Sequence, residues 1–296
     1  MPRGCATLVP VPNTTPHARI ITSLNLKGGV GKTFLCWLIA GVCEERGQRC
    51  LVVDLDKQGN ITTTLSPDFR SGSGSETFFN PAVDSEASAL VRRTMLAHVD
   101  LIPASFALER FNLTDPGKWE PTGLVRSLVD PLAELSSLYD YILLDCPADI
   151  SLITYAALAA SDFLMVPLES AQWGALGTQH VLKTLEHVQA RHNDRLQLLG
   201  FVVSRFKGVR KYQAAYLERL RARFGDDAFD TVIPDLAVFE QSVNDRVPIT
   251  LHSPSSHAAT IARNFFDELG IRAERLAGSR ESRGRHGVPA GIVTAA

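Results

Sequence analysis

The chain has 296 residues, of which 45% are hydrophobic and 21% are charged, so it is long enough to bury a large core and resembles a globular protein in composition. Thirty Lys and Arg residues against 32 Asp and Glu residues give a formal net charge of -2, which argues against a protein that coats nucleic acid with its whole surface. Five cysteines without a CxxC pair argue against a disulfide framework and a cysteine zinc site.

The two ends of the chain differ in composition from its middle. Residues 1–17 are rich in Pro and Thr, and residues 278–296 are rich in Gly and Arg, so both are expected to be disordered around one domain over 18–277. No apolar run approaches the roughly 18 residues of a membrane span, and the first residues lack a signal-peptide core. We therefore expect a cytoplasmic protein.

Short apolar runs alternate with helical patterns along the middle of the chain. The strand candidates are 19–24, 50–55, 99–104, 139–145, 162–168, 198–205 and 230–234, and their continuous Val, Ile and Leu content suits strands buried on both faces of a parallel sheet. Helical periodicity covers 32–47, 175–192, 211–225 and 258–277, with Gly47 as a C-cap, whereas 66–88 has the composition of a long loop. This alternation predicts an α/β fold with a doubly wound, mostly parallel sheet flanked by helices.

The first strand candidate runs directly into a glycine-rich loop, KGGVGKT, which an apolar helical pattern follows. Glycines let backbone N–H groups turn toward a phosphate, Lys32 can reach the outer phosphate oxygens, and Thr33 offers a hydroxyl to Mg²⁺. The positive end of the following helix adds to the attraction. This loop therefore predicts a phosphate site, but the ordinary pattern does not account for a second lysine, Lys27.

Acidic residues follow two further strand candidates. Asp54 and Asp56 end the run CLVVDLD, where their i and i+2 spacing places them on one side of a strand. Asp145 ends the run YDYILLD. Because ligands of open α/β sheets bind at the carboxyl ends of the strands, these carboxylates are expected beside the phosphate loop, where they suit magnesium-dependent phosphoryl transfer.

Together these motifs resemble the ParA/MinD superfamily of P-loop ATPases, over roughly residues 19–275. The loop resembles the deviant Walker A motif of that family, and DLDKQGN resembles its DxDPQGN motif, with Lys57 in the place of the usual proline. The resemblance implies that ATP and Mg²⁺ are the cofactors and that the chain forms a homodimer on ATP. The residues that it implies for phosphate contact are Lys27, Gly28, Gly29, Val30, Gly31, Lys32, Thr33 and Phe34, the last where the family usually has Thr or Ser.

The resemblance also implies roles for single residues. Lys27 would reach the phosphates of the partner's ATP, in the manner of an arginine finger, and would act in catalysis with Lys32 and Asp56. Asp56 would orient the attacking water. The ligands implied for magnesium are Thr33, Asp54 and Asp145, and the adenine is expected near Ser204, Arg205, Pro234 and Asp235.

Several functions share this scaffold, and the closest resemblance is to short, Soj-like partition ATPases, which act with a ParB-like adaptor that accelerates otherwise slow ATP hydrolysis. The tail after Gly278 has no apolar stripe, so no membrane association is expected. A basic cluster is the candidate surface for non-specific DNA, and hence for association with the nucleoid: Lys207, Arg210, Lys211, Arg219, Arg221 and Arg223.

One alternative stays open, a nucleotide-sensing regulator that positions or assembles a protein complex without binding DNA. Asp235 and Val238 favour it, since they stand where many short partition ATPases carry arginines.

Overall fold

A computed structural model describes residues 17–70, 72–83, 86–169, 174–207 and 211–285 of the chain. Within this part, a sheet of seven strands runs in the order β3-β4-β2-β5-β1-β6-β7. The strands are β1 (Arg19–Ser23), β2 (Cys50–Asp54), β3 (Arg92–Arg93), β4 (Val99–Ile102), β5 (Tyr141–Asp145), β6 (Phe163–Glu169) and β7 (Gln197–Ser204). All neighbours pair in parallel except β3 and β4, which confirms the predicted fold class.

Helices connect the strands and cover both faces of the sheet. They are α1 (Lys32–Arg46), α2 (Asn60–Leu65), α3 (Ala87–Leu90), α4 (Pro116–Trp119), α5 (Val129–Ser136), α6 (Leu152–Ala160), α7 (Gly174–Arg191), α8 (Lys211–Phe224), α9 (Ala237–Asn244), α10 (Ile249–His252) and α11 (His257–Arg285). Gly47 ends α1 in the left-handed conformation, as predicted. No helix of the described residues is long and apolar enough to span a bilayer.

Alternate residues of each central strand enter two separate cores. On β5, for example, Ile142 belongs to the core beneath α5 and α6, whereas Leu143 belongs to the core beneath α1 and α11. Both side chains are fully buried, which is why these strands lack a polar alternation. Phe265 and Leu269 of α11 are likewise buried, so the last helical pattern does pack on the domain.

The prediction of a strand over 230–234 is wrong. The segment lies beside β7, and the backbone N–H groups of Phe229 and Ile233 donate to β7 carbonyls, but only isolated bridges form. The intervening N–H groups of Asp230 and Thr231 donate instead to the carboxylate of Glu268 on α11, at 2.8 Å each. The Glu268 carboxylate therefore accepts the hydrogen bonds that the carbonyls of a further strand would otherwise accept.

Two further elements differ from prediction at the other edge of the sheet. The two-residue strand β3 is too short to leave a periodic signal, and it pairs antiparallel with β4. The predicted loop over 66–88 contains a 3₁₀ helix at Ser75–Phe79 and the short helix α3. The Ser75 hydroxyl donates to the carbonyl of Asp54 at 2.5 Å, and Phe79 is fully buried, so this segment is fixed to the end of β2.

The boundary predicted at the C-terminal end also differs. Helix α11 continues through Gly278 to Arg285, whereas the composition of this region predicts a disordered tail from Gly278. Residues 1–16 of the predicted lead-in and residues 286–296 of the predicted tail lie outside the described residues.

Candidate functional site

The carboxyl ends of β1, β2 and β5 meet where the strand order reverses. Register pairs Ser23 and Asp54 each with Asp145, so the last residues of the three strands lie side by side. Strand β1 has β5 on one side and β6 on the other. The connection after β1 leads to β2 on one side, whereas the connection after the neighbouring β5 leads to β6 on the other, and this opens a crevice at this edge of a doubly wound sheet.

The phosphate loop leaves β1 and enters α1 through two glycines in the left-handed region, Gly29 with φ of 75° and Gly31 with φ of 97°. A side chain at Gly31 would place its Cβ 2.9 Å from the Ser204 hydroxyl oxygen. The Ser204 hydroxyl itself donates to the Val30 carbonyl, and the Arg205 guanidinium donates to the Gly29 carbonyl at 3.1 Å. The end of β7 is therefore fastened to the phosphate loop.

The two lysines of the loop lie in different surroundings. Lys32 is 7% exposed, and its ammonium donates to the carbonyls of Asn25 at 3.0 Å and Lys27 at 3.3 Å. Burial lowers the pKa of Lys32, and the charge of Asp145 acts against that shift. The ammonium of Lys27 instead forms an exposed ion pair with Glu169 at the end of β6, at 2.5 Å.

Asp145 is the most unusual group of the site. It is 1% exposed, and neither of its carboxylate oxygens has a hydrogen-bond partner. Burial and then the charge of Asp54 raise the pKa of Asp145, while the nearby Thr33 hydroxyl and Lys32 ammonium act against the rise. A buried carboxylate without donors is unfavourable unless a cation compensates it, so this residue fits a divalent metal ion.

Asp54, in contrast, is fully engaged by the protein. One carboxylate oxygen accepts from the Thr62 backbone N–H at 3.0 Å and its hydroxyl at 2.6 Å, and the other accepts from the Asp56 N–H at 3.1 Å. Burial raises the pKa of Asp54 to about 7, and the hydrogen bonds from Thr62 act against that rise. Asp54 therefore holds α2 and the loop before it in place beside Asp145.

Asp56 is partly exposed and reaches the crevice from that loop. Its carboxylate accepts from the Gln58 N–H at 2.9 Å, and Gly59, the N-cap of α2, has the left-handed conformation. Lys57 forms an ion pair with Glu109, which constrains the loop where the family motif has proline. Asp56 is thereby oriented by its own loop.

A cavity of about 730 Å³ joins these parts. Five groups of predicted residues line it: the glycines of the loop with Lys32 and Thr33, Phe34, Asp56, Arg205, and the pair Pro234 and Asp235. The structure thus brings most of the predicted phosphate and adenine residues to one space, whereas Lys27, Val30 and Ser204 do not line it. Its volume is in the range of small-ligand sites in proteins.

Sequence reasoning missed several residues of the site. Phe239 of α9 lines the cavity and packs edge-to-face on Phe34, with ring centroids 5.2 Å apart. Glu169 holds Lys27, and its place at the end of β6 was a usable signal because parallel strands end at one edge. Asn25 shapes the start of the loop by accepting from the Lys27 N–H at 3.0 Å. Nothing in the sequence pattern marks Phe239 or Asn25.

The predicted DNA cluster is only partly described. Arg210 lies outside the described residues, and of Lys211 only the backbone at the start of α8 is described. Lys207 pairs with Asp235 at 2.9 Å. The remaining three arginines, Arg219, Arg221 and Arg223, are exposed on α8, and Arg221 donates to the Asp230 carbonyl at 3.0 Å.

Chemically, the site combines backbone N–H groups at a helix start, a buried lysine, a hydroxyl and a free buried carboxylate. The first two suit a polyphosphate anion, and the last two suit a hard cation that neutralises it. A carboxylate on a separate loop, Asp56, faces the same cavity.

Comparison with known proteins agrees with this chemistry. A family model described as an AAA domain matches residues 18–198. The chromosome-partitioning ATPase Soj of Thermus thermophilus is 34% identical over 256 residues, covering 86% of this chain and 97% of that protein.

Solved structures show the same architecture. Cobyrinic acid a,c-diamide synthase from Mycobacterium smegmatis, with bound ADP and magnesium, has a TM-score of 0.70 at 27% identity, covering 84% of this chain and 93% of that one. The septum site-determining protein MinD of Pyrococcus horikoshii, complexed with Mg-ADP, shares the fold with a TM-score of 0.66 at 23% identity, covering 88% and 98%.

Proposed function

The chain belongs to the ParA/MinD superfamily of P-loop ATPases, and we propose that it is a Soj-like ATPase that works as an ATP-dependent dimeric switch. Two structures with the same architecture hold a nucleoside diphosphate with magnesium, which supports ATP and Mg²⁺ as the cofactors here. Magnesium neutralises the charge that develops on the phosphates during transfer.

Each residue of the loop has a distinct part in this proposal. Lys32 leaves the carbonyls of Asn25 and Lys27 and contacts the outer phosphates, while backbone N–H groups at the start of α1 contact the inner ones. Thr33 and Asp145 would hold magnesium, whereas Asp54 would support the site indirectly because its oxygens already accept hydrogen bonds. Asp56 orients the water that attacks.

The observation that carries the switch is the position of Lys27. Lys27 does not line the cavity of its own subunit, and its ammonium pairs with the partly exposed carboxylate of Glu169. A cation at the rim of one site is available to a second subunit, where it would act on the partner's phosphates as an arginine finger does. The loop thus serves its own nucleotide through Lys32 and the partner's through Lys27.

The base of the nucleotide is proposed to lie against Arg205, Pro234 and Asp235, which line the same cavity. Phe34 and Phe239 offer it an aromatic surface. Since Phe34 has no hydroxyl for the inner phosphate, the backbone N–H groups of α1 supply that contact.

The name of the Thermus relative supports a role in chromosome or plasmid partition. In this role the ATP-bound dimer binds DNA non-specifically, sits on the nucleoid, and hydrolyses ATP slowly until a ParB-like adaptor accelerates it. The exposed arginines of α8 are the surface proposed for DNA, where binding would be salt-sensitive.

A regulator that positions a protein complex without DNA is the second candidate. It is favoured by the ion pair between Lys207 and Asp235, which takes one lysine of the basic cluster into contact with an acid at the cavity. The same nucleotide switch would then act on a protein partner.

The deciding experiment measures binding to non-specific duplex DNA in ATP and in ADP over a salt titration. We expect binding in ATP only, its loss in Lys27→Ala, and a weaker salt dependence in the double variant Arg219→Ala/Arg223→Ala. Sedimentation of the same samples reports the dimer. An ATP-dependent dimer that ignores DNA would instead support the regulator.

A further inference from the structure

Glu120, His187 and His192 meet away from the nucleotide cavity. Glu120 begins a 3₁₀ turn after α4, His187 lies in the last part of α7, and His192 directly follows that helix. One ligand atom from each side chain lies within 4.8 Å of the other two. None of the three lines the cavity described above.

One imidazole nitrogen of each histidine in this cluster, Nε2, has no hydrogen-bond partner. The Nε2 atoms of His187 and His192 are buried and make no hydrogen bond, although both side chains are partly accessible. The Nε2 of His187 lies 3.6 Å from the Oε1 of Glu120, too far for a hydrogen bond. Two orphaned nitrogens beside a carboxylate call for an explanation, because buried polar atoms are normally satisfied.

Aromatic packing holds the cluster in place. Tyr155 of α6 packs edge-to-face on His187, with ring centroids 5.6 Å apart, and on His192, at 6.5 Å. Tyr155 also packs on Trp119, with ring centroids 4.8 Å apart, and Trp119 is fully buried next to Glu120. One ring therefore positions all three elements that carry the candidate ligands, which is the kind of support that metal ligands receive.

We propose that Glu120, His187 and His192 bind one divalent transition-metal ion of the zinc class. Two imidazoles and one carboxylate form a recognised ligand set for Zn²⁺, whereas Mg²⁺ prefers oxygen ligands alone. Tetrahedral zinc with bonds near 2 Å places its ligand atoms about 3.3 Å apart, so the cluster must close by up to about 1.5 Å. Glu120 and His187 are already close to that separation.

A neighbouring arginine competes for the carboxylate. The Arg191 guanidinium lies 3.7 Å from the Oε1 of Glu120, and its side chain is 61% exposed. An exposed pair of this kind is weak, so a metal ion displaces it readily. The bound ion would join the turn at Glu120 to the end of α7, and its fourth position would stay open to water or to a ligand from another molecule.

The test titrates ZnCl₂ into the full-length chain by calorimetry, after chelator treatment and without nucleotide, in the presence of excess Mg²⁺. We expect one zinc per chain, and we expect His187→Ala, His192→Ala and Glu120→Gln each to weaken binding by more than about 100-fold, which exceeds the loss expected for a supporting partner. His180→Ala, an exposed histidine of the same helix, is the matched control and should bind as the unaltered chain does. Arg191→Ala should bind at least as tightly.

Circular dichroism of the metal-free variants checks their folding. If a variant unfolds, Co²⁺ replaces the variants as the probe: the unaltered chain should give the visible bands of a four-coordinate histidine site. Stoichiometric binding lost in the three ligand variants supports the site. The proposal is overturned if no zinc binds, if His187→Ala and His192→Ala bind as the unaltered chain does, or if Co²⁺ gives only the spectrum of the hydrated ion.

Discussion

At Gly31 the backbone turns from the phosphate loop into α1 with φ of 97°, and a Cβ there would lie 2.9 Å from the Ser204 hydroxyl oxygen. Gly31→Ala therefore adds both strain and a close contact. We expect it to lower the free energy of unfolding by about 1–3 kcal/mol and to weaken nucleotide binding. Urea denaturation with and without nucleotide measures both.

The matched control is Gly28→Ala in the same loop. A Cβ at Gly28 meets no atom within 4 Å, and its φ is not positive. Its free energy of unfolding should change by no more than about 0.5 kcal/mol. Equal losses in the two variants would show that the loop tolerates no side chain at all, whatever the contact with Ser204.

Lys32 and Asp56 should separate binding from turnover. Lys32→Ala removes the buried ammonium and should abolish nucleotide binding, whereas Asp56→Ala leaves the loop intact and should retain an ATP-bound dimer with little hydrolysis. Equilibrium binding of a fluorescent nucleotide and phosphate release report the two steps. An Asp56→Ala protein that hydrolyses ATP at the unaltered rate would remove this residue from the mechanism.

The prediction that the loop and the acids lie at one edge of the sheet rests on each of them following a strand, and the structure puts Ser23, Asp54 and Asp145 side by side there. It assigned Asp54 and Asp145 to the same role, whereas Asp54 is satisfied by Thr62 and Asp145 is not. Hydrogen-bond partners of this kind come from three-dimensional packing, which periodicity does not encode. The role of Asp54 could not have been distinguished without the structure.

Helix α11 holds the segment that follows α8 through hydrogen bonds to one of its side chains, Glu268. The carboxylate of Glu268 accepts from two backbone N–H groups and from the Arg272 guanidinium at 2.8 Å. Glu268→Gln removes the charge and leaves one N–H opposite an amide NH₂. We expect a loss of about 1–3 kcal/mol in the free energy of unfolding at pH 7, measured by chemical denaturation.

The same contact predicts a pH dependence. Burial raises the pKa of Glu268, but the hydrogen bonds from Thr231, Asp230 and Arg272 outweigh it and leave the pKa below the ordinary 4.5. The stabilisation is therefore complete above pH 4.5 and is lost as the pH falls through the folded-state pKa. The difference between the unaltered chain and Glu268→Gln should shrink as the pH falls below 4.5, and a constant difference would contradict this account.

This contact also explains the error over 230–234. The segment has the composition of a buried strand, and it does lie beside β7, but its outward N–H groups find a carboxylate on a helix near the end of the chain. Local composition predicts extended backbone and not its partner. The sequence did not predict the short β3 or the helical turns within 66–88 for a related reason. These elements depend on packing against distant residues.

In the proposed dimer, the switch requires Lys27 to leave Glu169. The two side chains are 45% and 33% exposed, and a pair so accessible contributes about 0–1 kcal/mol. Glu169→Gln should therefore strengthen ATP-dependent dimerisation by no more than about fivefold, measured by sedimentation. Glu109→Gln, which breaks the ion pair of Lys57 instead, is the control and should leave the dimer unchanged. A weakened dimer in Glu169→Gln would assign this carboxylate to the interface itself.

The hydrogen bonds between β7 and the phosphate loop affect whether one subunit alone can distinguish ATP from ADP. Ser204 and Arg205 join the end of β7 to the phosphate loop, so the distance between the proposed base site and the proposed site of the inner phosphates is fixed. This fixed distance suits the part of the nucleotide that ATP and ADP have in common. In the proposed dimer the third phosphate would lie beyond that part, where Lys27 of a second copy would contact it. We therefore expect a single subunit to bind ATP and ADP alike, and only the dimer to distinguish ATP from ADP.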